Sequence, residues 1–369
     1  MKILILQQDL LPSLQAVSRV SGVRATLPVL DNILLASEGV KLKLSATNLE
    51  IGVIEYVSAD VIEPGEITIP AKTLVEVISG LKGSKIDLES KQDILTITSG
   101  KFQASINGIS SSEFPVIPQG EGGGISFKKS EIMAVGQILF AAAVDEGRPQ
   151  LTGVLTEVKG NDLNFVATDG FRLAHRIIKL EDKKDLPEGR FKSLIPKKTF
   201  EEVLRIISEE EIDDIKVSTS SNQNQIVFKI GSTTVSSRLI EGNFPNWEKI
   251  IPENFVTRAV VDKEEIIKAV KLASVFVKNE GFIVLKVSTD KIVIEASAKE
   301  LGTQQNEIEG QMEGEELTVG FNAKFLLDAL INIPSTQLTM EFSGSLTPTA
   351  IKPIGIEGLQ FIVMPMRLN

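Results

Sequence analysis

Three stretches of this 369-residue chain carry the same frame at a spacing of 126 residues. In the middle copy, residues 195–207 read IPKKTFEEVLRII, with Phe200, Val203, Leu204 and Ile207 at i, i+3, i+4 and i+7. That spacing predicts a helix with one face against a core. Pro196 stands where it suits a first helical turn. The earlier copy follows Pro70 and places Leu74, Val77, Ile78 and Leu81 in the same frame. The later copy uses Leu326, Ala329, Leu330 and Ile333. One lysine stays in register through all three: Lys72, Lys198 and Lys324. A period of this length is domain-sized, so three copies of one folded unit are expected. Their limits fall near 1–122, 123–250 and 251–369.

Each copy opens with a second apolar helical frame: Leu10, Leu14 and Val17, then Ile132, Gly136, Leu139 and Ala143, then Ile266, Val270, Ala273 and Val277. Between the helices lie short alternating segments such as residues 40–46 (VKLKLSA), bounded by turn residues such as Glu63-Pro64-Gly65-Glu66 and Leu186-Pro187-Glu188-Gly189. Alternation of period two with short turns predicts antiparallel strands. The first two copies end on matching corners, Glu113-Phe114-Pro115 and Asn243-Phe244-Pro245. Residues 120–124 (GEGGG) lack the Lys-Ser/Thr of a phosphate loop and read as a linker. The expected class is α+β, a β-rich domain with two helices on one face of antiparallel sheets, repeated three times. One-faced helices in tandem make an arc, and its open β-edges tend to pair. A head-to-tail contact that closes would join two chains into a six-domain ring.

Composition removes several kinds of chemistry. With no cysteine and a single histidine, disulfides, thiolate metal sites and histidine-based triads are not expected, and no metal or cofactor is predicted. No apolar run approaches membrane-spanning length, which leads us to expect a cytoplasmic protein. The net charge of −10 is unevenly spread. Six helical segments (8–21, 70–82, 128–144, 196–207, 262–278 and 322–333) sum to +4 and the remainder to −14. If those helices share one surface, it is mildly basic on an acidic body. An enzyme would have to rest on Thr168-Asp169-Gly170 or on the acidic run 209–214, and neither has a partnering nucleophile, base or metal cluster. A β-rich repeat scaffold without nucleic acid is the stronger rival.

Three further motifs occur in order: GVRATLPVL at 22–30, ATDGFRLA at 167–174 and VMPMRL at 363–368. With the threefold repeat, they make the whole chain resemble the bacterial DNA polymerase III beta subunits, the sliding clamps. The resemblance implies a non-catalytic homodimeric ring that encircles duplex DNA without reading its sequence. It also implies partners: the catalytic subunit of DNA polymerase III, the clamp loader and other proteins carrying a clamp-binding motif. For DNA contact it points to Arg24 and Lys198, and the register adds Lys72 and Lys324. For the partner-peptide pocket the matching residues are Leu151, Thr168, Gly170, Phe171, Arg172, Leu173, Pro245, Leu346, Ile362, Val363, Met364, Pro365, Met366 and Arg367. Arg172 and Arg367 are expected to hold the peptide's polar groups. For the dimer interface, Ala104 and Ile106 are expected to meet Ala273, Ser274, Val275, Phe276 and Val277 of the other chain. The pattern departs from the family at Phe171, where a histidine is usual, at Trp247, and at Glu248 and Lys249. Asp145-Glu146 is acidic where the family can carry a DNA-facing polar residue.

Overall fold

The computed structural model describes every residue except 23–26, 82, 84, 121–123, 146, 181–190, 221–223, 278–280 and 369. Among the described residues there are six α-helices: α1 (Gln7–Ser18), α2 (Ala71–Gly80), α3 (Lys129–Met133), α4 (Lys197–Glu209), α5 (Lys263–Val277) and α6 (Ala323–Ile331). Each begins on the residue after a strand ends, as at Leu6/Gln7 and Asn322/Ala323. Asn322 makes one such junction sharp: its side-chain oxygen accepts from the N–H groups of Lys324 (2.9 Å) and Phe325 (3.2 Å). Asp262 does the same for Glu264 and Glu265 at the start of α5. A side-chain cap of this kind satisfies donors that the helix itself leaves open. Pro70 and Pro196 are the last residues of strands, one place earlier than a first-turn proline.

The chain falls into two compact units, Met1–Ile132 with Glu201–Leu239, and Met133–Phe200 with Ile240–Asn369. Unit 1 holds a five-stranded sheet in the order Asp60–Glu63, Lys2–Leu6, Lys85–Lys91, Ile94–Ser99, Phe102–Asn107. Its second sheet has eight strands: Ile125–Lys128, Asp214–Thr219, Gln225–Ile230, Thr233–Arg238, Ile51–Ser58, Lys41–Thr47, Asn32–Glu38 and Glu66–Pro70. Unit 2 holds a nine-stranded sheet: Lys192–Pro196, Gly153–Lys159, Asp162–Thr168, Arg172–Lys179, Leu359–Val363, Thr349–Pro353, Gln337–Phe342, Thr257–Asp262 and Gln311–Gly314. Its four-stranded sheet runs Gly302–Glu309, Lys291–Ala298, Phe282–Val287, Leu317–Asn322. The pairings are antiparallel, as the alternating segments predict.

The compact units do not follow the sequence repeats because two sheets run through the repeat boundaries. Strand Thr233–Arg238 of the second repeat pairs with Ile51–Ser58 of the first. Strand Leu359–Val363 of the third pairs with Arg172–Lys179 of the second. In the boundary predicted as linker, Gly124 is packed rather than loose: a Cβ there would lie 2.9 Å from the Val217 carbonyl oxygen. Arg24, residues 121–123 and the turn predicted at 186–189 lie outside the described residues.

The predicted helical frames hold in five of six cases. Leu10, Leu14 and Val17 are buried on α1, and α1 packs on α2. Leu74 and Ile78 of α2 and Leu81 just beyond it are buried, with Val77 half-buried. On α4, Phe200, Val203 and Ile207 are buried together with Ile206, while Leu204 is half-buried. On α6, Leu326, Ala329 and Leu330 are buried, as is Ile333 beyond its end. The exception is 128–144, expected as one helix. Only Lys129–Met133 is α-helical, and 3₁₀ turns follow at Ala134–Gln137 and Leu139–Ala141. Of the predicted frame Ile132 and Leu139 are buried, Ala143 is half-buried and Gly136 is exposed, while Val135, Ile138, Ala141 and Ala142 are buried as well.

Candidate functional site

The residues of ATDGFRLA build a hairpin turn in unit 2, between strands Asp162–Thr168 and Arg172–Lys179. The Thr168 hydroxyl donates to the Arg172 carbonyl (2.6 Å) and accepts from the Gly170 N–H (3.0 Å). Asp169 Oδ1 accepts from the N–H groups of Phe171 and Arg172, each at 2.9 Å. Gly170 adopts φ +92°, and a Cβ there would lie 3.1 Å from Arg148 Nη1. The backbone therefore favours glycine, whereas the crowding atom is the end of an exposed arginine that can shift. The turn lifts Phe171 to the tip with 56% of its surface exposed. Its ring stacks on Phe325 of α6, centroids 5.8 Å apart and planes at 21°.

Arg172 faces inward. Its Nε donates to Asp169 Oδ2 (3.0 Å), Nη1 to Asp328 Oδ2 (2.6 Å) and Nη2 to the Phe140 carbonyl (3.0 Å). The guanidinium also lies over the rings of Phe325 (4.8 Å) and Phe140 (5.4 Å). These contacts occupy one N–H on each of the three guanidinium nitrogens and tie Arg172 to Asp169, Asp328 and Phe140. Phe140, Asp328 and Phe325 are the partners that sequence reasoning missed. They come from two elements far from the hairpin in sequence, the 3₁₀ turn Leu139–Ala141 and α6, and no local pattern joins them to it.

The C-terminal strand lies alongside. Val363 pairs with Arg172 and Ile362 with Leu173, and the Met364 N–H donates to the Phe171 carbonyl at 2.9 Å. The tail then turns to another strand, where Met366 N–H meets Gly320 O at 2.8 Å. The predicted pocket residues separate by depth. Leu151, Thr168, Leu173, Ile362 and Val363 are buried, and Leu173 and Ile362 pack with Leu155, Val166, Leu194, Trp247 and Ala350. Gly170, Phe171, Pro245, Leu346, Met364 and Arg367 are exposed, with Pro365 and Met366 half-buried. The first set forms a floor, and the second offers apolar and adaptable side chains to solvent.

Below the same sheet sits the single histidine. His175 is buried and accepts from Gln360 Nε2 (3.3 Å) while its Nε2 faces Asn164 Oδ1 (3.0 Å). Its ring packs on Trp247 at 4.4 Å, and Lys159 Nζ lies 5.6 Å over the Trp247 ring. Burial, and then the Lys159 charge, lower its pKa to about 4, so the ring is neutral. The neutral tautomer matches both neighbours.

Lys72, Lys198 and Lys324 are each the second residue of their helix, in α2, α4 and α6, and each is exposed. Among the residues assigned to a dimer contact, Ala104 is half-buried on Phe102–Asn107, an edge strand of its sheet. Ile106 and Ala273 are buried in the chain's own core and offer little surface to a partner. Ser274, Phe276 and Val277 are half-buried, and Val275 is 67% exposed.

Folds of this kind are found among solved sliding clamps. The crystal structure of the DNA polymerase III subunit beta from Pseudomonas aeruginosa covers 100% of both chains with a TM-score of 0.94 and 30% sequence identity. A sliding clamp from the same organism, bound to griselimycin, matches over 100% of both chains with a TM-score of 0.92 and 30% identity. The beta sliding clamp of Synechocystis sp. is 30% identical over 397 aligned positions, covering 100% of each protein. Models of the DNA polymerase III beta subunit match in tandem: the N-terminal domain over residues 1–118, the central domain over 128–246 and the C-terminal domain over 248–367. The chain belongs to the DNA polymerase III beta subunit family.

Proposed function

We propose that this protein is a DNA sliding clamp, a non-catalytic processivity factor that encircles duplex DNA and tethers a replicative polymerase. The tandem match of three beta-subunit domains along the chain carries the reading. Two chains pair head to tail through free sheet edges, strand Phe102–Asn107 of one and strand Gly302–Glu309 of the other, to close six domains into a ring. The repeats keep the limits 1–122, 123–250 and 251–369. The exposed lysines at the starts of α2, α4 and α6, with Arg24, touch phosphates. Few contacts suit sliding: each phosphate neutralised steepens the fall of log K with log salt by about 0.9. Enclosure, not affinity, holds the ring on DNA. The groove at Phe171, Pro245, Leu346 and Met364 takes the linear peptides of the polymerase and the clamp loader. The protein acts in the cytoplasm, where the chromosome is copied.

The test is topological. Loaded onto nicked circular DNA, the protein is retained through gel filtration at high salt. It is released when a restriction enzyme linearises the circle. Equal retention on circles and linear DNA would replace the clamp with an ordinary DNA-binding protein, and no retention on either would favour a scaffold.

A further inference from the structure

The hairpin beside the unit 2 groove has a counterpart in unit 1. The Thr47 hydroxyl donates to the Ile51 carbonyl (2.9 Å) and accepts from the Leu49 N–H (3.0 Å). Asn48 Oδ1 accepts from the N–H groups of Glu50 (3.0 Å) and Ile51 (2.8 Å). Thr168 and Asp169 make the same four bonds. The next strand docks identically too: Arg238 N–H donates to Glu50 O, and Met364 N–H to Phe171 O, both at 2.9 Å. Position by position, Leu49, Glu50 and Arg238 stand where unit 2 has Gly170, Phe171 and Met364.

A cavity of about 370 Å³ opens against this turn, walled by Leu49, Ile51, Val116, Ile117 and Pro118, with Glu50 and Arg238 also lining it. That volume is at the small end of ligand sites, which run from about 300 to 1,000 Å³. Leu49 is held at φ +74°, a left-handed backbone that costs a leucine about 1–3 kcal/mol, and is 45% exposed. Residues 115–118 pair with no strand among the described residues, and the Val116 N–H, on a residue that is 94% exposed, donates to no backbone group there. Glu50 and Arg238 are exposed, and neither forms an ion pair among the described residues. The unit 2 groove presents an aromatic ring and a methionine at the positions where this one presents opposite charges.

We propose that the unit 1 groove is a second docking site, for an extended peptide of another protein that places an aliphatic side chain in the cavity and an acidic one against Arg238. Charge decides the occupant. Arg238 is a cation with no ion-pair partner among the described residues, at the mouth of a groove on an acidic protein, and Glu50 fixes which way round the peptide lies. The two grooves then sort their peptides, apolar ends to unit 2 and acidic ends to unit 1.

Methyl NMR on the full-length protein tests this with two probes, acetyl-Leu-Val-Asp-amide and acetyl-Leu-Val-Lys-amide. The Asp peptide should shift the methyls of Ile51 and Ile117 and bind there about threefold more tightly than the Lys peptide, the effect of one exposed ion pair. Arg238→Glu, a surface change, should invert that preference. Ile362 reports on the unit 2 groove in the same spectra, so failure of one site is read separately from failure of the other. Unmoved Ile51 and Ile117 methyls, or an equal response to both peptides that Arg238→Glu leaves unchanged, would overturn the proposal.

Discussion

His175 has no room for a second proton. Its two nitrogens already face an acceptor on Asn164 and a donor on Gln360, and Trp247 closes its face. The folded pKa of about 4 lies below the ordinary 6.5, so the native state binds fewer protons than the unfolded chain. Stability from this group is complete above pH 6.5 and is lost as pH falls towards 4. Between pH 7.5 and 4.5 the loss comes to about 2–3 kcal/mol. Urea unfolding followed by Trp247 fluorescence checks it: His175→Gln should remove that part of the pH dependence, and an unchanged dependence would place the titration elsewhere. Arg172 shows how far a residue is legible in advance. Its place in ATDGFRLA was readable, but its partners were not, because Asp328 lies 156 residues away. Local spacing carries no trace of a partner at that separation.

At the scale of elements, apolar periodicity was a faithful guide wherever one face of a helix meets a core. It misled at 128–144, where a five-residue α-helix gives way to 3₁₀ turns and no long α-helix forms. The strands that sequence reading passed over, such as Lys2–Leu6 and Thr257–Asp262, each run straight into a helix, so no turn signal marks them off. The lysines in register gain meaning from their position. A cation in the first turn opposes the helix dipole, at about 0.3–1 kcal/mol. Lys72, Lys198 and Lys324 therefore do nothing for their helices. Changing all three to glutamate should leave thermal stability equal or slightly raised. The slope of log K against log salt on DNA should flatten by about 0.9 for every phosphate that a lysine no longer neutralises. An unchanged slope would remove these residues from the DNA-facing surface.

For the whole molecule, the proposed ring depends on edges. Strand Phe102–Asn107 ends its sheet and Ala104 is half-buried on it, so Ala104→Asp should weaken pairing without opening a core. Sedimentation should then report one chain where the unaltered protein gives two, with circular dichroism unchanged. A mass that stays at two chains would move the interface to another edge. Sheet continuity across the repeats has a separate consequence, for synthesis. The strand Ile51–Ser58 pairs with residues such as Ser236, 184 positions further along than Gly52. At about 5–20 residues per second, the ribosome leaves that edge without its neighbour for roughly ten to forty seconds. A nascent chain of this kind carries an open, largely apolar strand during its own translation, and ribosome-bound chaperones are the natural cover for it.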